Sequence, residues 1–324
     1  MSQQSSLFEN LSLPAIAAPM FLISGPKMVI ECCKNGIVGT FPALNQRTSE
    51  GFEEWLIEIK TSLQKFEEET GKKAAPFGVN LIVHPTNPRL EADIKLCVKH
   101  KVPLVITSLG AVSMVVDAIH SYGGLVFHDI IKKRHAEKAQ EAGVDGLILV
   151  AAGAGGHAGT INPMALVTEI KKFFDKTIIL SGCISTGRDI ASAMQMGADL
   201  AYMGTRFIST DEAKAPEEYK QMIIDAGASD VTYTASISGV HANFLSASLK
   251  AAGLTEEDLK KNTKIDFGKE LDTEAKAWKT IWSAGQGASS IENTIPIKAL
   301  VDVLKLEFKD AITSQIKILE NYPK

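Results

Sequence analysis

GLILVAAGAGGHAGTINP, residues 146–163, is the stretch on which the fold turns. It opens with an unbroken apolar run, Gly146–Ala151. Without the two-residue alternation of a half-solvated strand, such a run reads as a strand buried on both faces. Glycines follow, and Pro163 sits where the first turn of a helix tolerates a residue lacking an N–H. Gly153, Gly155 and Ala158 alone spell G-x-G-x-x-A, with Asp175 near where a dinucleotide fingerprint places its acid. That fingerprint opens a helix at once, whereas Thr160-Ile161-Asn162-Pro163 delays helix entry. The segment therefore reads as strand, ligand loop, helix.

The same unit recurs outward in both directions. Strands are predicted at 14–20, 37–40, 77–83, 102–107, 124–128, 146–151, 177–181 and 199–203. Helical patterns lie between them at 50–69, 88–100, 111–121, 133–142, 163–174 and 187–196, with Gly71, Gly123, Gly143 and Gly197 where helices should stop. Eight strands alternating with helices is the count of a (β/α)8 TIM barrel, although an open doubly wound sheet shares the local pattern. Residues 1–210 supply the eight units. Residues 211–324 are predicted as helices at 212–226, 241–252, 273–284 and 296–318, a helical appendage or lid on the barrel and not an independent domain.

Composition narrows the functional class. The 34 Lys and Arg against 38 Asp and Glu leave a net charge of −4 and no basic run, which is not the footprint of a nucleic-acid binder. No apolar stretch reaches the ~18–20 residues of a membrane span, and MSQQSSLFEN lacks the form of a signal peptide. A cytoplasmic protein is expected. Cys32, Cys33, Cys97 and Cys183 show no C-x-x-C spacing and the histidines no zinc spacing, so no metal site is expected.

A barrel places function just after its strands. There His157 stands among residues too small to pack it, so it reads as a general acid or base. Gly155 and Gly156 would allow close backbone approach to a flat ligand. After the seventh and eighth strands come Ser181-Gly182-Cys183-Ile184-Ser185-Thr186-Gly187-Arg188 and Met203-Gly204-Thr205-Arg206-Phe207. Barrels commonly hold phosphate in these two loops, and Gly182, Gly204 and Thr205 can supply unobstructed N–H donors. Asn80 interrupts an apolar strand, Thr107 and Ser108 follow the fourth strand, and His128 with Asp129 follows the fifth. Asp129 reads equally as a helix cap or a site residue.

These motifs resemble the nitronate monooxygenase family, formerly 2-nitropropane dioxygenases. The resemblance rests on Ala18–Met20, Phe77–Asn80, Val105–Ala111, Gly153–Gly159, Ser181–Gly182, Met203–Phe207 and Ala284–Gly287. It implies a bound FMN, its phosphate held by Gly182, Gly204 and Thr205, its ring lined by Met20 and Asn80. Ser108, His128, Gly155, Gly156 and Ser181 join that cofactor set, and Gln286 would close the pocket from the appendage. His157 would be catalytic, oxidising alkyl nitronates with dioxygen to a carbonyl compound and nitrite, with a homodimer left open. The FMN-dependent enoyl-acyl-carrier-protein reductases are similar in GGHxG and GTRF, and an NAD(P)H-dependent enoyl-thioester reductase is the alternative. Ala18-Pro19-Met20-Phe21 stands where those reductases carry a Gly-Gly-Met turn, and Asp129 where some nitronate enzymes carry a Lys.

Overall fold

The computed structural model describes residues 7–110, 112–237, 239–261 and 280–322. Eight parallel strands close into a barrel: β1 (Ala15–Ala17), β2 (Val38–Pro42), β3 (Phe77–Ile82), β4 (Leu104–Ser108), β5 (Leu125–Ile130), β6 (Gly146–Val150), β8 (Thr177–Ser181) and β9 (Leu200–Met203). Closure comes from β1 against β9, with Ala15 opposite Ala201 and Ala17 opposite Met203. The eight predicted strands are these eight, each shifted by a few residues at most.

The pleat sorts the side chains. Ile16, Val38, Leu104, Ile106, Phe127, Ile148 and Ile179 form the cluster inside the barrel, while Val79, Val105, Val126, Leu147 and Leu180 join the layer beneath the helices. Phe8 closes the lower end, its ring 5.9 Å from that of Phe127. Because alternate residues share a face, the top layer of the interior receives Asn80, Ser108, Asp129, Ser181 and Tyr202.

The outer helices are α1 (Pro26–Lys34), α2 (Ser49–Thr70), α3 (Leu90–His100), α4 (Ser113–His120), α5 (Lys133–Glu141), α6 (Pro163–Ile170) and α7 (Gly187–Met196). α1 was not predicted. Its nine residues bury Met28, Val29, Ile30, Cys32 and Cys33, and Pro26 marks its first turn. α7 has the predicted limits and is closed by a capping box between Thr186 and Asp189.

Beyond residue 204 lie α8 (Thr205–Ile208), α9 (Glu217–Ile224), α10 (Ser246–Ala251) and α11 (Ile297–Glu320). α9 is shorter than its prediction because Pro216 biases the preceding residue away from helix. The helix expected over 241–252 is corrected: Ala242–Leu245 is strand β11, and α10 begins only at Ser246. β11 pairs antiparallel with β10 (Val231–Thr234) on one side and with β7 (Gly156–His157) on the other. Its second partner comes from the glycine loop more than 80 positions earlier, a neighbour no local pattern reveals. Most of the helix expected over 273–284 lies outside the described residues. α11 packs along α7, where the backbone approaches so closely that a Cβ on Gly187 would stand 2.1 Å from the Leu304 carbonyl.

Candidate active site

The C-terminal ends of the barrel strands surround a cavity of about 1270 Å³. Single ligand pockets run ~300–1,000 Å³, so it has room for more than one small molecule. Met20, Asn80, Ser108, His128, Gly155, Gly156, His157, Ser181, Gly182, Gly204 and Thr205 all line it, which brings together every expected site residue except Gln286.

The glycine loop owes its path to two left-handed residues, Gly153 at φ +82° and Gly156 at φ +66°. A Cβ on Gly153 would also meet the Cys183 sulfur at 2.3 Å, whereas one on Gly156 would meet nothing within 4 Å. Gly156 thus gives the turn its hand and leaves the space beside it open. His157 follows, paired with Ala242 across β7 and β11. Ala158 N–H donates to the His241 carbonyl at 3.3 Å, and the Tyr233 hydroxyl donates to the Ala158 carbonyl at 3.0 Å. Strands read as helix or left unassigned in the sequence therefore fix the candidate catalytic residue. His157 Nε2 is buried with no hydrogen-bond partner among the described residues. Burial lowers its pKa to about 4, so the ring is neutral near pH 7.

Asn80, Ser108 and Asp129 form a chain across β3, β4 and β5. Asn80 Nδ2 donates to Ser108 Oγ at 2.8 Å, and Ser108 Oγ donates to Asp129 Oδ2. Burial raises the Asp129 pKa to about 7, against the opposing Ser108 hydrogen bond. Asp129 caps no helix. His128 lies on the other face of β5, its Nδ1 2.8 Å from Thr107 Oγ1. Thr107 Oγ1 also lies 3.2 Å from the Phe127 carbonyl oxygen. Burial lowers the His128 pKa to about 4.

The Met20 turn is held by Asn45, which sequence reading missed. Asn45 Nδ2 donates to the carbonyls of Met20 at 3.0 Å and Ser24 at 2.7 Å, and its Oδ1 accepts from Leu22 N at 2.8 Å. Leu22 sits at φ +61°, a strained position for a γ-branched residue that this amide over-determines.

The expected phosphate donors divide. The backbone N–H groups of Gly182, Gly204 and Thr205 have no acceptor among the described residues, and Ser185 Oγ is buried without a partner. The α7 N-terminus is already occupied: Asp189 accepts from the N–H groups of Ser185 and Thr186, and Glu307 accepts from Gly187 at 2.6 Å. Arg206 of the GTRF motif is buried and spends its guanidinium on Ser209 and Asn293. The Ala284–Gly287 turn reaches the cavity through Gly285 and Gly287. Gly285 N–H donates to Thr205 Oγ1 at 2.9 Å and Gln286 N–H to the Gly153 carbonyl at 2.9 Å. The Gln286 side chain itself lies exposed over Cys183, its Oε1 3.8 Å from the sulfur.

Unsatisfied donors at the strand-eight loop, an open glycine wall and a neutral histidine with a bare nitrogen suit a planar ligand carrying an anionic tail. Among the described residues no three His, Cys, Asp or Glu side chains gather as a metal site, and no helix is long and apolar enough to cross a membrane.

A nitronate monooxygenase from Paraburkholderia phytofirmans is 26% identical over 94% of this chain and 94% of its own length. An octahydro-1H-indene-4-carboxyl-CoA dehydrogenase from Rhodococcus jostii is 24% identical over 73% of this chain, which spans 63% of that protein. Among solved structures, a nitroalkane oxidase from Streptomyces ansochromogenes superposes with a TM-score of 0.80 at 23% identity, covering 97% of this chain and 100% of that one. FabK from Thermotoga maritima superposes at 0.78 and 22%, covering 98% and 99%. At such identities both speak for the fold alone. The nitronate monooxygenase family model matches residues 5–307. The chain belongs to the nitronate monooxygenase family, a family of flavin-dependent oxidoreductases.

Proposed function

We propose that this protein oxidises alkyl nitronates with dioxygen, using FMN, and gives a carbonyl compound and nitrite. The observation that carries the reading is His157 Nε2, buried, unpartnered and beside the open wall at Gly156. In this reading Gly182, Gly204 and Thr205 hold the FMN phosphate, with Ser185 Oγ as a further donor. Met20, Asn80, Ser108, Ser181, Gly155 and Gly156 bound the ring. His128 borders the site behind β5, and Gln286 acts through its backbone, which closes the glycine loop onto the barrel. Residues 211–324 serve as an appendage of one domain, and the protein works in the cytoplasm.

The bound flavin supplies the redox chemistry: electrons leave the electron-rich nitronate carbon and end on dioxygen. The chain supplies orientation and proton handling. From a neutral nitroalkane, His157 Nε2 accepts the α-proton, which it can do because burial keeps the ring unprotonated at neutral pH. The imidazolium then faces the nitronate formed in the same step, and that ion pair offsets the desolvation that depresses its pKa. For a preformed nitronate, the same nitrogen in its N–H tautomer donates a hydrogen bond to a nitro oxygen.

Anaerobic mixing tests the proposal. The yellow protein should bleach with a nitronate and regain colour in air with release of nitrite. Bleaching by NADH or NADPH with no response to nitronate would replace it with the enoyl-thioester reductase reading, and a colourless protein would end both.

A further inference from the structure

One carboxylic acid in the barrel mouth has no part in the chemistry above. Asp129 lines the cavity from β5, and its Oδ2 accepts from Ser108 Oγ. Ser108 receives the Asn80 amide, so its single hydroxyl proton is committed to Asp129. Asp129 Oδ1 is buried and has no hydrogen-bond partner among the described residues. No ion pair relieves this carboxyl among the described residues. The other titratable groups lining the cavity are Tyr202 on β9, His157 on β7, His128 on β5 itself, His135 and Lys138 on α5, Cys183 after β8, Lys214 beyond α8, Tyr219 on α9, Tyr233 on β10 and His241 before β11. None of them hydrogen-bonds to Asp129. Of this set, the Tyr202 phenol is the one raised by the Asp129 charge, after burial as the larger cause.

We propose that Asp129 Oδ1 reads the oxyanion of the substrate through a proton, so that binding an anionic nitronate takes up one proton from solvent. The inference rests on the nitronate reading and deepens it by assigning the group that faces the nitro oxygens. Two anionic oxygen groups cannot share a buried site while both are ionised, so the carboxyl is neutral in the complex. Burial already raises the Asp129 pKa to about 7, which puts the free enzyme at its midpoint near neutrality. In the ligand-free protein His157 and His128, both lowered to about 4, are neutral from pH 6 to 9, so the uptake that belongs to Asp129 is the part that Asp129→Asn abolishes. A neutral nitroalkane needs no such proton, so pH sorts the two forms of one substrate at this residue.

The test uses flavin-loaded protein and isobutyrate, an unreactive carboxylate whose paired oxygens stand in for those of a nitronate. Binding is read from the flavin spectrum and proton uptake from a pH-indicator dye in weak buffer. Uptake should be about 0.1 proton per site at pH 6, about 0.5 at pH 7 and about 0.9 at pH 8, with Kd rising roughly tenfold per pH unit above 7. Asp129→Asn should bind isobutyrate without proton uptake and with a flat Kd. Ser108→Ala removes the hydrogen bond that favours the ionised carboxyl, so its midpoint should move to higher pH. No uptake in the wild type, an unchanged profile in Asp129→Asn, or no binding at pH 6 overturns the proposal. Failure of the wild type to oxidise any nitronate is a separate result, and it strikes the functional reading instead.

Discussion

Asn243 Nδ2 donates to the Ala154 carbonyl at 2.7 Å, a buried hydrogen bond that joins strand β11 to the glycine loop three residues ahead of His157. Asn243 also stands opposite Gly156 in the antiparallel ladder. One residue thus holds the loop by both its backbone and its side chain. Asn243→Leu leaves the Ala154 carbonyl buried and unpaired, a loss of ~1–3 kcal/mol. The expected outcome is a melting temperature lowered by several degrees together with reduced turnover. Thermal melts and steady-state kinetics on one preparation check it, and a stable variant with full activity would detach β11 from the site.

His157→Asn should retain flavin, because the expected phosphate donors belong to other loops. Turnover of a neutral nitroalkane should fall by ~10²–10⁴-fold, the range of a lost general base, while a preformed nitronate loses far less. In the wild type, kcat/KM for the nitroalkane should hold down to pH 5 and decline only toward pH 4, since the ring protonates at about 4 rather than near 6.5. An acid limb centred near 6.5 contradicts the buried, neutral state assigned here.

The barrel was legible because its strands are unbroken apolar runs between glycine-stopped helices, a local signal. The place of His157 in the cavity was legible for a related reason, a ring among residues too small to pack it. What escaped reading depends on distant partners. Strand β7 is two residues long and exists only because β11 lies beside it. Asn45 looks like an ordinary polar turn residue until the fold brings the Met20 turn against it. Asp129 could not be told from a helix cap, because its burial is made by neighbouring strands. The N–H of Gly187 at the α7 N-terminus is taken by Glu307, 120 positions on, a partner no local pattern reveals.

Asn45→Ala tests the Met20 turn. Three hydrogen bonds leave with the amide, and Leu22 keeps its positive φ with less to hold it. If Met20 packs on the flavin ring, flavin affinity should fall by about tenfold or more, since the loss of about 1.4 kcal/mol of positioning has that effect. Fluorescence titration of the stripped protein with FMN measures it. Unchanged affinity would place the flavin elsewhere in the cavity.

Buried titrating groups also set opposite stability slopes. Asp129 titrates at about 7 folded against an ordinary 3.8, so its contribution is fully present below pH ~4 and is lost as pH rises through 7. His128 and His157 titrate at about 4 folded against 6.5, so theirs is present above pH 6.5 and is lost as pH falls through 4. Shifts of this size amount to ~3–4.5 kcal/mol per group at most, at 1.36 kcal/mol per pH unit. Asp129→Asn keeps an acceptor for the Ser108 hydroxyl and removes the alkaline loss alone. The variant should therefore melt several degrees above the wild type at pH 8, with much of that gap closed at pH 5, while the acid limb set by the two histidines stays where it was. Equal melting curves at pH 8 would mean that solvent reaches the carboxyl, and Asp129 would then titrate as an ordinary surface acid.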